Sequence, residues 1–231
     1  MTLGELWPQP GIVALYHLEG TSDSSGNGYT LGEIDTDDMG KFSRGRKSGS
    51  TYTAGRCPTA NNLVIPASDN FSVGFWIKYH TQPGGSYVTH GILRVEHDGT
   101  KQGSFEILYT LNGGTSKYAI QYCWANPNAS LGQTADWPIS AGLFPNEVWT
   151  HVIFVCSSGT CYIYINGAYW TSFSRTACNG NSSKFSAIQD AYNNSTDYFS
   201  ACTVDEWVFW NKVLTSQYIR QLYALGKGLL D

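Results

Sequence analysis

Apolar and polar residues alternate with period two along most of the chain, and clusters of Gly, Asn, Pro and Ser interrupt the alternation at short intervals. This is the pattern of many short antiparallel strands. It predicts strands over Ile12 to Leu18, Phe71 to Tyr79, Val88 to Glu96, Ser104 to Leu111, Lys117 to Trp124, Trp149 to Cys156, Cys161 to Asn166 and Thr203 to Trp210. The alternation lapses between Asn126 and Asn146, and Thr176 to Ser195 is rich in Asn and Ser, so both segments read as long loops. One segment carries the helical period instead. Beyond Leu214, Thr215 or Ser216 supplies an N-cap, Ile219, Leu222 and Tyr223 share one face, and Gly226 offers a C-terminal stop. No repeat or low-complexity linker divides the pattern, so the expectation is one domain over residues 1–231.

Composition narrows the class. Charged residues and aromatics each make up 14% of the chain and there are 25 glycines, which suits a turn-rich β protein and excludes a disordered one. The net charge of −4, with no basic cluster longer than Arg44, Arg46 and Lys47, argues against a nucleic-acid partner. No apolar run is long enough to enter a membrane, and Met1 to Pro10 lacks the basic and apolar regions of a classical signal peptide. Six cysteines are present. Cys156 and Cys161 flank the Ser157-Ser158-Gly159-Thr160 turn, where they either bridge the hairpin or serve as small core thiols. Cys57, Cys123, Cys178 and Cys202 are left unassigned, and none shows zinc-type spacing.

Five motifs in order resemble the laminin-G-like domains of the concanavalin A-like lectin/glucanase superfamily. They are the opening strand Gly11 to Gly20 with the turn Asp23-Ser24-Ser25-Gly26-Asn27-Gly28; the strand Phe71 to Lys78 around Trp76; Trp149-Thr150-His151-Val152; Tyr162 to Asn166-Gly167; and Val204 to Thr215 with the helix to Gly226. The resemblance implies an all-β, two-sheet antiparallel jelly-roll sandwich with one short C-terminal helix, and places Trp76, Trp149 and Trp207 in the core. It also implies one structural Ca²⁺ between the Asp-Ser-Ser-Gly-Asn-Gly turn and the closing strand. Asp23, Asn27 and Asp205 would be its ligands, and the alternative is that these side chains only satisfy backbone amides. The fold itself carries no single function.

The remaining chemistry points away from catalysis. Some enzymes of this fold are retaining glycosidases, which need two carboxylates projecting from one strand face about 5 Å apart. The nearest imitation, Glu33-Ile34-Asp35-Thr36-Asp37, runs on into Asp38, Met39 and Gly40 and reads as a solvated acidic loop and turn. No Ser-His-Asp order, zinc-protease motif or phosphate loop is present. His17 and His151 read as satisfied structural side chains, and His80, His90 and His97 share no spacing. Asn-x-Ser/Thr sites at Asn70, Asn128, Asn181, Asn193 and Asn194 matter only in a eukaryotic secretory route.

Eight Trp and 15 Tyr exceed what one core readily absorbs. Trp124, Trp137, Tyr169 and Trp170, at strand ends or in loops, are the candidate contacts to a carbohydrate or protein partner. The expected protein is a non-catalytic binding or adhesion module that recognises glycans. The alternative is a structural assembly protein, such as a phage capsid decoration or fibre component, whose aromatics meet other virion subunits or copies of itself. A glycoside hydrolase is the remote third reading. With the domain filling the chain and no leader, the expected location is extracellular or on a virion surface, a place phage proteins reach by lysis.

Overall fold

The computed structural model describes residues 11–31, 37–47, 59–63, 70–79, 88–97, 105–112, 117–123, 135–139, 145, 147–174, 183–186 and 202–228. Among the described residues, fourteen strands and one helix follow in chain order. The strands are β1 (Ile12–Tyr16), β2 (Asp37–Met39), β3 (Arg44–Lys47), β4 (Thr59–Leu63), β5 (Phe71–Tyr79), β6 (Val88–His97), β7 (Phe105–Asn112), β8 (Lys117–Cys123), β9 (Ala135–Ile139), β10 (Thr150–Ser157), β11 (Thr160–Ile165), β12 (Ala168–Ser174), β13 (Ser183–Ser186) and β14 (Cys202–Trp210); the helix is α1 (Ser216–Gly228). They form two antiparallel sheets. The first runs β12-β11-β10-β5-β14-β3-β2, with β1 also on β14, and the second β4-β13-β6-β7-β8-β9.

The central strands of the first sheet are near-continuous apolar runs and are buried on both faces. On one, Phe71, Val73, Phe75 and Ile77 of β5 align with Phe154 and Val152 of β10 and with Phe209 and Val204 of β14. Phe75 stacks on Trp207 at 4.4 Å and Phe71 on Phe209 at 5.6 Å. On the other face Leu15, Ile153, Val155, Tyr164, Val208 and Trp210 form a cluster with Leu214, Ile219 and Leu222, so α1 covers this side. Thr215 caps the helix, its Oγ1 accepting from the Tyr218 amide at 3.2 Å and its carbonyl from the Ile219 amide at 3.0 Å.

Several expectations are corrected. Gly226 does not stop the helix, which continues to Gly228. A Cβ on Gly226 would stand 2.6 Å from Trp76 Cζ2, so the position serves close helix-to-sheet approach. The stretch Asn126 to Asn146 contains β9, an edge strand that tolerates Pro138 because one side needs no ladder bond. Thr176 to Ser195 contains β13, which lies between β4 and β6. Asp37, Asp38 and Met39 are strand β2 rather than loop and turn, paired to Arg46, Gly45 and Arg44; residues 33–36 of the acidic run lie outside the described residues. Trp76 and Trp207 are buried as expected. Trp149 is only half-buried, with Lys78 Nζ 5.1 Å above its ring.

Candidate functional site

A bulge in β14 organises one end of the first sheet. Asp205 faces Trp76, Val208 faces Gly74, and the two intervening residues break the register, Glu206 adopting φ 53°. At this break the outer neighbour of β14 changes, from β3 beside Thr203 and Val204 to β1 beside Trp207 to Trp210. Two buried carboxylates fill the gap. Asp205 Oδ2 accepts the amides of Lys41 (2.7 Å) and Phe42 (3.1 Å), and its Oδ1 accepts the Glu206 amide at 2.9 Å. Burial, and then the Glu206 charge, push the Asp205 carboxyl up to about 8 against the pull of those three donors. Glu206 Oε1 lies 2.8 Å from His17 Nδ1, and this hydrogen bond holds the His17 imidazole above its ordinary value. Glu206 Oε2 is buried without a hydrogen-bond partner among the described residues. Both carboxylates are closed off from solvent, so the cluster joins β1, β14 and the β2–β3 turn rather than facing a substrate. Sequence reasoning missed Glu206 because the bulge that turns it inward leaves no mark on the alternation.

The candidate calcium ligands divide between two places. Asp23 Oδ1 accepts the amides of Leu15 (3.0 Å) and Ser25 (2.9 Å), and Oδ2 accepts the Tyr29 amide (3.0 Å) and the Ser25 hydroxyl (2.8 Å). These four bonds occupy the acceptor positions of the carboxylate. Asn27 turns its Nδ2 onto the carbonyls of Ile12 and Val13 at 3.3 and 2.9 Å, so a donor rather than an oxygen meets β1. Asp205 serves the β2–β3 turn. As arranged, this donor set does not fit a hard cation, which needs free oxygens converging on one point.

Of the two structural histidines, His17 is satisfied by Glu206, whereas His151 is buried with Nδ1 lacking a partner among the described residues. Burial drives its imidazole down to about 3, so the ring packs neutral in a three-ring cluster with Trp76 at 4.8 Å and Tyr223 at 6.2 Å.

The aromatic candidates lead to a patch on the helix-bearing face of the first sheet. Tyr169 and Trp170 lie within edge strand β12, not in a loop. The Asn166–Gly167 turn, with φ 50° and 77°, is a tight hairpin that delivers β12 back along β11. The register then skips Trp170, which is half-buried, and sets Tyr169 opposite Tyr164 and Ser172 opposite Tyr162. Tyr164 meets Tyr169 edge to face at 5.8 Å and bonds Ser216 Oγ at 2.9 Å through its hydroxyl. Tyr169 donates to Ser172 Oγ at 3.1 Å. Tyr169, 55% exposed, is thus held by Tyr164 and Ser172, and Tyr162, 37% exposed, lies opposite Ser172 on the same face. Tyr162 was not singled out in the sequence because its strand alternation resembles that of a core residue. Trp137 lies on β9 opposite Ile120, far from β12 in strand order and on the other sheet. Trp124 is outside the described residues.

Residues 47–220 match the family model described as the concanavalin A-like lectin/glucanases superfamily. A comparison with curated protein sequences finds no match. Among solved structures, domain 4 of a GH43 extracellular arabinanase from Geobacillus stearothermophilus, in complex with arabinotriose, superposes with TM-score 0.61 at 19% identity, covering 92% of this chain and 98% of that one. The structure of botulinum neurotoxin type C whose cell entry depends on two ganglioside molecules gives 0.66 at 16%, covering 97% and 52%. The botulinum neurotoxin DC binding domain, in complex with rat synaptotagmin II, gives 0.66 at 18%, covering 94% and 52%. The chain thus spans about half the length of these toxin domains and nearly all of the arabinanase domain.

Proposed function

The chain belongs to the concanavalin A-like lectin/glucanases superfamily, and from that premise we propose that it is a non-catalytic binding module that recognises carbohydrate through the tyrosine patch of β11 and β12. The carrying observation is the exposed ring of Tyr169, held by Tyr164 and Ser172 before any ligand arrives, with exposed Tyr162 on the same face of the neighbouring strand. A ring face offers CH contacts to a pyranose or furanose, and the nearby hydroxyls of Ser172 and Ser216 supply polar partners. Fixing the rings in advance lowers the entropy lost on binding. The sugar-bound arabinanase domain and the ganglioside-dependent toxin support this reading as relatives in fold. The adjacent carboxylates Asp205 and Glu206 support a non-catalytic role, because both are buried and engaged in holding the strands.

A glycan array with wild type and the variants Tyr169→Ala, Trp170→Ala and Trp137→Ala tests the proposal. Binding by wild type that is weakened in Tyr169→Ala and retained in Trp137→Ala is expected. A wild type that binds no glycan removes the carbohydrate reading.

The toxin domain bound to synaptotagmin favours a second reading, in which the same rings contact protein. Under that reading the partner is a receptor, another virion subunit or a second copy of this chain, and light scattering of the purified protein detects the last. We place either activity outside the cell, on a virion or cell surface. Antibody labelling of intact particles or cells checks this, and signal only after lysis counts against it.

A further inference from the structure

The β10–β11 hairpin closes through Ser158 and Gly159, with φ 48° and 79°, a two-residue turn of the type that fits strand twist. Ser157 and Thr160 are the closing pair, and Cys156 and Cys161 are the next pair along. In such a hairpin the closing pair exchanges hydrogen bonds, so the following pair is the non-hydrogen-bonded kind, whose side chains approach most closely. Cys156 and Cys161 are directly opposite, on the same face, with sulfurs 3.0 Å apart. A covalent disulfide would need about 2.05 Å. The pair is part of a row across four strands, Phe71, Cys156, Cys161 and Phe173, all buried. β11, which carries Cys161, also carries Tyr162 of the exposed patch and pairs with β12, which carries Tyr169.

We propose that Cys156 and Cys161 are a redox pair that closes to a cross-strand disulfide when the protein meets an oxidising thiol–disulfide pool. The thiolate of one cysteine attacks a small-molecule disulfide such as oxidised glutathione, forming a mixed disulfide and releasing one thiol. The second thiolate then attacks the protein sulfur of that mixed disulfide and forms the intramolecular bond. The second small thiol departs, and the electron pair and both protons end on the two released thiols. Because both cysteines are buried, the first attack requires opening of the Ser157–Thr160 turn, which makes oxidation slow under native conditions and faster in mild denaturant.

The test uses the full chain, reduced and then equilibrated with oxidised glutathione, alkylated in denaturant and cut with chymotrypsin. Cleavage after Phe154 and Tyr162 isolates a peptide containing only Cys156 and Cys161. The expected product is that peptide lighter by two hydrogens and without alkyl groups. Oxidation should also raise the melting temperature by about 5 °C, the order expected for a short closed loop in a chain of this size. A Cys156→Val/Cys161→Val double variant should show no such shift from this pair. Recovery of the doubly alkylated peptide after equilibration, or its linkage to another cysteine or to glutathione, overturns the proposal whether or not the double variant folds.

Discussion

Replacing Gly226 with alanine sets two effects of known sign against each other. In an exposed helix interior, Gly→Ala stabilises by about 1 kcal/mol because alanine has less backbone entropy to lose. At Gly226 the new methyl would lie 2.6 Å from Trp76 Cζ2 and 3.1 Å from its Cε2. The indole cannot easily yield. His151 packs tilted against it at 4.8 Å, Tyr223 stacks on it at 5.9 Å, Phe42 meets it edge-on at 6.1 Å and Lys41 Nζ lies 4.8 Å from its ring. Overpacking of this kind costs about 1–3 kcal/mol, so the net expectation is a loss of about 1 kcal/mol, or roughly 2–4 °C in melting temperature. Gly228, in the same helix, has nothing within 4 Å of its Cβ position and provides the control. Gly228→Ala should be neutral or slightly stabilising. Urea unfolding followed by tryptophan fluorescence measures both. If Gly226→Ala is as stable as Gly228→Ala, the helix is not seated on Trp76 and the packing argument is wrong.

Acidity should act through two buried groups of opposite sign. His151, held near 3 against an ordinary value of about 6.5, contributes stability that is present above 6.5 and lost as pH falls toward 3. Asp205, raised to about 8, contributes stability that is full below its ordinary carboxylate range and lost as pH rises toward 8. Between pH 4 and 6.5 the two slopes oppose each other, each at up to about 1.4 kcal/mol per pH unit. His151→Phe should therefore lose stability as pH rises through this window and Asp205→Asn as it falls; parallel curves for the two variants would refute the assignment. Asp23→Ala strands the amides of Leu15, Ser25 and Tyr29 and should cost on the order of 2–4 kcal/mol by chemical denaturation. Because those amides and the Ser25 hydroxyl fill the carboxylate, scanning calorimetry in EDTA and in calcium should give the same melting temperature. A higher melt in calcium would show that the turn rearranges to bind the ion.

The elements legible in the sequence are those with long runs of apolar and aromatic residues. β5, β10 and β14 belong to this group, and their buried rings fix the register of the first sheet. β2, β3, β4 and β13, with sequences DDM, RGRK, TANNL and SKFS, carry little apolar alternation. They are strands because neighbouring backbones pair with them, and a local pattern does not carry that information. The helix was legible from its 3.6 period and Thr215 cap, yet Gly226 was misread, since a glycine that ends a helix and one that admits an indole look identical in sequence. The same limit applied to the site. Tyr169 stood out as an aromatic near a turn, whereas its partner Tyr162 lay inside a strand, where exposure depends on which sheet edge the strand adjoins. Asp23 was recognised as a turn acid, but only the placement of Leu15, Ser25 and Tyr29 around it shows that its oxygens are taken.

Carbohydrate recognition by the β11–β12 patch is tested most directly by titration calorimetry of wild type and Tyr169→Ala with the best glycan from the array, with circular dichroism confirming that the variant is folded. Removing the exposed ring that Tyr164 and Ser172 hold in place should weaken binding about tenfold, equivalent to about 1.4 kcal/mol, with the melting temperature unchanged. Equal affinity in the two proteins would contradict the account.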